Sequence, residues 1–334
     1  MEQFANALDD LACRTGFSGV VRLDRAGSVE LERAYGLADR GHGIANTVDT
    51  QFATASATKG FTALAVVSLI EDGSLALTTT ARSVLGADLP LIGEDVTVEH
   101  LLAHRSGIGD YLDEEAPGRE ITDYAMPVPV QELAQTEQFL AVLDGFETVS
   151  APDERFAYNN GGFMVLALIA ERASGVGFHE LVQRRVCEPA RMHDTAFLRS
   201  DELPGRAALG YLEQDGPRTN VFHLPVRGNG DGGIYSTAAD ISALWAAFFA
   251  GRIVSRDWVA EMVRPRSAVP EDSRRYGLGF WLHETSDVVI LTGYDAGVSF
   301  WSEHDPGTET TRTVIANWTD GAWPIAELFD TIDA

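Results

Sequence analysis

The chain has 334 residues, 45% of them hydrophobic, which is enough for one large domain or two of ordinary size. Its 25 basic and 50 acidic residues give a formal net charge of −25. A surface this acidic repels nucleic acid and anionic lipid, so we expect neither as a partner. The N-terminal residues lack a basic stretch followed by a long apolar run, and we expect a cytoplasmic protein without a membrane-spanning segment.

The remaining composition argues against several kinds of site. Cys13 and Cys187 lie far apart in sequence, and free, buried thiols are the expectation for such a pair. No Cys and His cluster has the spacing of metal ligands, and no glycine pattern predicts a phosphate or dinucleotide loop. We therefore expect no metal and no cofactor. We interpret the glycosylation sequon at Asn317 as a chance match.

Hydrophobic periodicity predicts the elements in chain order. The first are a helix over 2–14, two strands over 18–37 around a turn at Ala26 and Gly27, and a buried apolar helix that begins at Ser56. The predicted helices that follow are 97–107 (N-cap Thr97, stop Gly107), 130–145, 161–175, 177–192 (cut off at Pro189) and 236–251 (N-cap Ser236 or Thr237). The last predicted elements are strands over 276–283, 288–294, 297–305 and 311–318 and a helix over 324–333.

The order of these elements predicts an α+β fold. Strands at both ends of the chain, with helices between them, favour a single antiparallel sheet built from the N- and C-terminal segments and flanked by helices. We predict a sheet domain of residues 1–72 and 221–334 and a mostly helical inserted domain of residues 73–220. We expect the active site at the interface of these two domains.

The stretch "SATK" places Lys59 three residues after Ser56, on the same face of the predicted apolar helix. One interpretation is a capping serine and a lysine that points to solvent. The other is a nucleophile and its base. The first turn of a helix favours an oxyanion through its unpaired N–H groups, and desolvation lowers the pKa of a lysine. A lysine tuned in this way can accept the serine proton.

Two further segments carry candidate residues. Tyr158 and Asn160 precede a predicted apolar helix, where a phenol can relay a proton and an amide can bind both a lysine and a substrate carbonyl. The alternative is an aromatic residue packed at a helix start, with Asn160 as a cap. The strand segment "LTGY" carries Thr292, Gly293 and Tyr294. Gly293 can permit a close approach of the backbone to a ligand, and the alternative is a glycine bulge in the strand. The N–H groups of Tyr294 and Ser56 could together form an oxyanion hole.

Taken in order, "SATK", "YNN" and "LTG" resemble the motifs of the class C β-lactamase and penicillin-binding serine hydrolase family, which includes DD-peptidases and esterases. The segments "TVEHLLAHRSGIGDY" and "NGDGGIYSTAADISAL" resemble two further segments of that family. The resemblance implies the β-lactamase/transpeptidase-like fold. It also implies Ser56 as nucleophile, Lys59 as its partner, Tyr158 as general acid/base, Asn160 as donor to the substrate carbonyl, and Tyr294 as the source of an oxyanion N–H.

One position departs from the family pattern. The third motif usually begins with lysine or histidine, a cation that helps to bind a substrate carboxylate, whereas here the residue is Leu291. Arg105 could supply the missing cation, and His104 is a second candidate base, although its place in a matched loop favours a structural role.

We therefore predict a serine hydrolase that acts on a small ester or amide through an acyl-enzyme. The alternatives are a true β-lactamase, a D-amino-acid peptidase, and a catalytically silent binding protein of the same fold. The expected partner is a small-molecule substrate. The sequence leaves the natural substrate, the oligomeric state and the physiological role open.

Overall fold

A computed structural model describes residues 1–112, 120–329 and 331 of the chain. The α-helices in these ranges are α1 (Glu2–Thr15), α2 (Thr58–Glu71), α3 (Ala81–Leu85), α4 (Val98–Leu102), α5 (Leu140–Leu143), α6 (Asn160–Ser174), α7 (Phe178–Val182), α8 (Glu188–Ala190), α9 (Ala238–Phe249), α10 (Arg256–Met262) and α11 (Trp323–Phe329). The strands are β1 (Gly19–Arg25), β2 (Ser28–Tyr35), β3 (Leu37–Asp39), β4 (Ile44–Ala45), β5 (Phe52–Ala53), β6 (Tyr235–Ser236), β7 (Ser267–Val269), β8 (Arg274–Tyr276), β9 (Trp281–His283), β10 (Val289–Asp295), β11 (Val298–Asp305) and β12 (Thr310–Ala316).

Eight strands form one antiparallel sheet in the order β2-β1-β12-β11-β10-β9-β8-β7. The N-terminal strand β1 pairs with the C-terminal strand β12, in a register that runs from Gly19 opposite Ala316 to Arg25 opposite Thr310. The hairpin between β1 and β2 turns at Ala26 and Gly27, which both have positive φ (47° and 74°), as a type I′ turn requires. The predicted α+β fold with a sheet from both chain ends is confirmed.

The sheet is covered by apolar side chains on both faces. Alternate residues of one strand point to opposite faces, so Val20 joins a core cluster with α2, α6 and α9, whereas Val21 joins another with α1 and α11. The same alternation places Leu291 on the α2 side and Ile290 on the α1 side. Helix α2, which carries the candidate nucleophile, is therefore buried between the sheet and α6, and its apolar sequence is explained by that burial.

Two predicted helix starts are confirmed in detail. The Thr97 side chain accepts the His100 N–H at the start of α4, and the Thr237 side chain accepts the Asp240 N–H at the start of α9. The predicted stop of the first of these helices was wrong. Helix α4 ends at Leu102 rather than near Gly107, because His104 adopts the left-handed region with φ of 54° and turns the chain away.

The predicted single strand over 276–283 is a hairpin. Strands β8 and β9 pair with each other, and the four residues between them form the turn. Gly279 supplies a positive φ of 83° there, and a Cβ on it would lie 2.2 Å from the Cβ of Ala63 in α2. The glycine thus permits both the turn and the close approach of α2.

Two predicted helices are interrupted. Residues 130–145 form two 3₁₀ turns, Val130–Glu132 and Thr136–Phe139, before α5, because the Gln138 side chain accepts the N–H groups of Ala134 and Gln135. Residues 177–192 do not stop at Pro189. The π-helical segment Gln183–Cys187 precedes it and lets the chain continue as helix α8, since the wider turn accommodates a residue without an N–H donor.

The remaining predictions have mixed outcomes. Both cysteines are free, and Cys187 is buried as expected, but Cys13 is exposed. The predicted C-terminal helix is described as α11 over Trp323–Phe329, and its predicted end at 333 lies outside the described residues. Within the described part of the chain, no single helix is long and apolar enough to cross a bilayer. One bent pair, Asn160–Ser174 with Phe178–Ala190, reaches that length and composition only jointly.

Candidate active site

Ser56 lies in a single 3₁₀ turn, Ala55–Ala57, which leads directly into α2. The backbone of this turn is held firmly. Ala55 has a positive φ of 46°, a strained conformation for a residue with a Cβ, and its carbonyl accepts the Thr58 hydroxyl at 2.7 Å. The same hydroxyl accepts the Ile234 N–H at 3.1 Å, which joins the turn to β6. These hydrogen bonds fix the backbone that carries Ser56.

Lys59 is 2% exposed, and its side-chain nitrogen is surrounded by oxygen atoms. Its Nζ lies 2.8 Å from Ser56 Oγ, 2.7 Å from Asn160 Oδ1 and 2.8 Å from the main-chain oxygen of Asp231. The two carbonyl oxygens can only accept hydrogen bonds, whereas the serine hydroxyl can accept or donate. A neutral amine has two N–H groups and one lone pair. This arrangement can therefore direct the lone pair at the Ser56 hydroxyl.

The Tyr158 ring closes one side of this centre. Lys59 Nζ lies 4.9 Å from the centroid of the ring, which also stacks at 6.0 Å on the Trp281 ring. Behind it, His104 is fully buried with its ring centroid 4.4 Å from that of Tyr158. Burial, and secondarily the charge of Lys59, hold the pKa of His104 well below its usual range. Its Nδ1 accepts the Asn159 N–H at 3.0 Å, so the histidine is a neutral packing residue.

The start of α6 is fixed by two capping side chains. Asp110 accepts the N–H groups of Asn160 and Gly161 at 2.6 and 2.8 Å, and Asn159 accepts that of Gly162 at 2.6 Å. Burial raises the pKa of Asp110 to about 7, although the backbone N–H groups act in the opposite direction. The Asn160 amide donates to the Leu112 carbonyl at 3.1 Å, and this bond orients its oxygen toward Lys59.

Strand β10 brings Thr292, Gly293 and Tyr294 to the same cavity as Ser56. A Cβ on Gly293 would lie 2.1 Å from the Thr54 oxygen and 3.0 Å from the Ser56 nitrogen. Glycine is therefore required by the close approach of the strand to the serine turn, which agrees with the predicted close backbone contact. The oxyanion role of the Tyr294 N–H stays a prediction.

The residue that replaces the usual cation of the third motif points away from the cavity. Leu291 is 3% exposed, and a Cβ placed on Gly60 would lie 2.6 Å from its Cδ2, so it packs over α2. Arg105 does not take its place among the described residues that line the cavity. Its guanidinium binds the Asp153 carboxylate at 2.5 Å and the Ser267 hydroxyl at 2.8 Å.

The cavity in front of Ser56 has a volume of about 520 Å³. Aromatic rings form one wall, among them Phe156, Tyr158 and Trp281. Its charged lining within the described ranges is mostly acidic: Asp110, Glu147, Glu271 and Asp272 against Arg155. A second, smaller cavity of about 70 Å³ is lined by Ser56 and Asn160. In the part of the chain that the structure describes, no group of three or more His, Cys, Asp or Glu residues is arranged to hold a metal ion.

Sequence reasoning missed the contribution of Asp231. Its segment resembles one of the family, but the sequence assigns no role to its main-chain oxygen, which binds Lys59 from 172 residues away. Asp110 and Trp281 were missed as well. The signal that could have drawn attention to Asp231 is the cluster of glycines around it, because such a segment lets a backbone approach another element closely.

A buried lysine bonded to a serine at a helix start, beside strand β10 of an antiparallel sheet, is the arrangement expected from the resemblance to the β-lactamase and penicillin-binding serine hydrolases. The family model described as Beta-lactamase matches residues 4–332, and the chain belongs to this family. Its relatives are serine hydrolases, with penicillin-binding proteins, esterases and D-aminopeptidases among them.

Three of these relatives illustrate the range of activities named among the proteins similar to this chain. The crystal structure of a penicillin binding protein from Bacillus halodurans is 33% identical and has a TM-score of 0.90, with 97% of this chain and 99% of that chain covered. Esterase EstB of Burkholderia gladioli is 28% identical over 77% of this chain and 72% of its own length. The D-aminopeptidase of Brucella anthropi is 28% identical over 93% of this chain and 58% of its own length.

Proposed function

We propose that this protein hydrolyses small esters or amides through an acyl-enzyme formed on Ser56, with Lys59 as the base. The observation that carries the proposal is the 2.8 Å contact between Lys59 Nζ and Ser56 Oγ, combined with two carbonyl-type acceptors for the other hydrogens of that nitrogen. A buried amine held in this way can take the serine proton at the moment of attack.

In the acylation step, Ser56 Oγ forms a bond to the carbonyl carbon of the substrate while its proton passes to Lys59. The negative charge on the carbonyl oxygen is stabilised by the N–H groups of Ser56 and Tyr294. The bond to the leaving group then breaks, and the departing alcohol or amine takes a proton through Tyr158, whose ring lies 4.9 Å from Lys59 Nζ. In deacylation, water attacks the same carbon and gives a proton to Lys59. The bond to Ser56 Oγ then breaks, Lys59 returns the proton to Ser56 Oγ, and the acid is released.

Asn160 has two tasks in this proposal. Its oxygen holds Lys59, and its amide group lies where an acyl carbonyl can be bound, next to Ser56 in the lining of the smaller cavity. Thr292 and Gly293 form the strand edge along which the substrate lies. Each of these positions is fixed by secondary structure rather than by a free loop, so little reorganisation accompanies the reaction.

Neutral substrates are favoured over carboxylates. Leu291 offers no charge, and its side chain is packed over Gly60 in the core. The described charged residues that line the larger cavity are acidic apart from Arg155, and a carboxylate placed there meets repulsion. These features favour esters or amides without a carboxylate over penicillins and carboxyl-terminal peptides.

The test is covalent labelling of the purified protein with a fluorophosphonate, read by intact mass and peptide mapping. We expect one adduct, on the peptide that contains Ser56, and none in Ser56→Ala. Ser68→Ala is the matched control, because Ser68 lies on the same helix with its hydroxyl bonded to the Ala65 carbonyl at 2.7 Å. That variant should label as the unaltered protein does.

Labelling of another residue, or equal labelling of Ser56→Ala, would rule out this nucleophile. A folded protein that takes up no label at all would favour the silent binding protein instead. Faster turnover of a chromogenic cephalosporin than of p-nitrophenyl acetate would contradict the preference for substrates without a carboxylate.

A further inference from the structure

Asp231 is anchored between the two helices that carry the candidate active site. The residue before it, Gly230, accepts the Thr62 hydroxyl of α2 at 2.6 Å through its main-chain oxygen. A Cβ on Gly230 would lie 2.2 Å from the Phe163 oxygen of α6, so this stretch of backbone lies directly on both helices. The position of Asp231 relative to Lys59 is thus set by main-chain contacts to α2 and α6.

The main-chain oxygen and the side-chain carboxylate of Asp231 bind different partners. Its main-chain oxygen accepts a hydrogen bond from Lys59 Nζ at 2.8 Å, and its carboxylate accepts a hydrogen bond from the Tyr111 phenol. Burial raises the pKa of Asp231, while the charge of Lys59 and the phenol hydrogen bond act to lower it. Burial and the charge of Asp231 keep the pKa of Tyr111 well above its usual range, so the phenol remains a donor.

Other ionisable groups also face Lys59. His104 is uncharged because burial lowers its pKa. Asp110 also acts on Lys59 through its charge, yet its two carboxylate oxygens bind the first N–H groups of α6. Tyr158 presents its ring to Lys59. Asp231 combines a direct main-chain hydrogen bond to Lys59 with a carboxylate that interacts electrostatically with the same lysine.

We propose that Asp231, held by Tyr111, is a positioning residue for Lys59. Its carbonyl fixes one N–H of the lysine, so that the lone pair of the amine faces Ser56, and its carboxylate stabilises the ammonium form that arises when the serine proton is taken. Tyr111 acts on Lys59 only through Asp231, because its hydrogen bond keeps the Asp231 carboxylate ionised and in place. This inference rests on the proposed role of Lys59 as the base.

The test compares the pH dependence of kcat/KM for p-nitrophenyl acetate in the unaltered protein, Asp231→Asn and Tyr111→Phe. Asparagine can still accept the Tyr111 hydrogen bond, so Asp231→Asn removes the charge and keeps the shape. The ammonium form of Lys59 is then less stabilised, and the acid limb of the profile should move to lower pH by roughly one unit. Tyr111→Phe removes a hydrogen bond that lowers the pKa of Asp231, so the carboxyl group is protonated more readily. The acid limb of that variant should therefore also move to lower pH, by a smaller amount.

A matched control lies on the far side of the sheet, where the Tyr35 phenol donates to Asp9 at 2.6 Å. Tyr35→Phe also removes a tyrosine–aspartate hydrogen bond, and its acid limb should coincide with that of the unaltered protein. Acid limbs in both Asp231→Asn and Tyr111→Phe that coincide with the unaltered limb would overturn the inference. Fluorophosphonate labelling of Ser56 in the same preparations reports separately on the proposed function, so the two hypotheses fail on different readouts.

Discussion

At the scale of single residues, the contact between Leu291 and Gly60 explains two departures from expectation. Leu291 stands where the family pattern has a cation, and its side chain fills the space over Gly60 beside Phe280. Glycine in a helix interior is normally destabilising by roughly 0.5–1 kcal/mol relative to alanine. Its presence in α2 is explained because a Cβ there would lie 2.6 Å from Leu291 Cδ2. The two residues therefore form one packing unit between α2 and β10.

This unit predicts that the effects of substituting Gly60 and Leu291 are coupled in a double-mutant cycle. Gly60→Ala alone should destabilise the protein by about 1–3 kcal/mol, since the added methyl group overpacks the contact with Leu291. In the Leu291→Ala background, which itself costs about 2–4 kcal/mol through the cavity it leaves, the same change should cost at least about 1 kcal/mol less, because only the contact with Phe280 at 3.2 Å remains. Urea unfolding of the four proteins measures the coupling. Equal effects of Gly60→Ala in both backgrounds would show that the two side chains do not compete for space.

At the scale of elements, a charged cluster joins α10 to α4. The Arg266 guanidinium, 9% exposed in its side chain, binds Glu99 of α4 at 3.0 Å and also binds Glu261 of α10. Glu261 further accepts Arg264 at 2.6 Å. The hydrogen bonds from these two arginines lower the pKa of Glu261 to about 2. The cluster connects elements that are far apart in sequence, which an isolated pair on one helix does not do.

Glu261→Gln should therefore destabilise the protein by about 1 kcal/mol at pH 7. Because the pKa of Glu261 is lower in the folded protein than in the unfolded chain, its contribution is present above about pH 4.5 and is lost as the pH falls toward 2. The difference between the variant and the unaltered protein should shrink over that interval, as measured by urea unfolding at several pH values. A difference independent of pH would contradict this account.

Glu180→Gln is the control for that experiment. The pair of Glu180 with Arg184 joins residues of one short helical stretch, and their side chains are 56% and 59% exposed. Such a pair contributes little, so a change of less than about 0.5 kcal/mol is expected at every pH.

At the scale of the whole molecule, charge acts on substrate selection. The net charge of −25 and the acidic lining of the larger cavity have the same sign. Fields of this kind raise the local concentration of cations and lower that of anions, and salt screens them within a Debye length of about 10 Å at 0.1 M. The sheet and the helices around α2 hold these charges in fixed places, so the field is a property of the folded chain.

We expect this field to appear in a series of aryl acetates that differ in the charge of the leaving group. The anionic ester para-acetoxybenzoate should react at low salt with a kcat/KM at least about tenfold below that for the neutral ester para-acetoxybenzamide, after correction for their hydroxide-catalysed rates. The cationic ester para-(trimethylammonio)phenyl acetate should react as fast as the neutral ester or faster. Added salt should narrow both differences. Arg155→Gln should slow the reaction of the anionic ester further, since Arg155 is the positively charged residue among the described residues that line the larger cavity. An anionic ester that is as fast as the neutral one at low salt would refute the prediction.

Local rules, which act within one or two turns of chain, made much of this protein predictable from its sequence. The three-residue spacing of Ser56 and Lys59 on a buried helix places Oγ and Nζ 2.8 Å apart. Thr97 and Thr237 form caps because their hydroxyls reach N–H groups three residues on. The strands at both chain ends indicated the shared sheet, since strands must pair and the middle of the chain supplies helices.

Only the tertiary structure decided the features that depend on contacts between distant segments. The side chain of Asn160 and the main-chain oxygen of Asp231 meet Lys59 from 101 and 172 residues away, a convergence that no local pattern encodes. Whether Leu291 faces the cavity or the core follows from the way β10 packs on α2. The hairpin at Gly279 likewise depends on a neighbouring element, because α2 approaches the turn closely there. The physical reason is that local propensity amounts to only about 1 kcal/mol per residue, which the burial of a large apolar side chain outweighs.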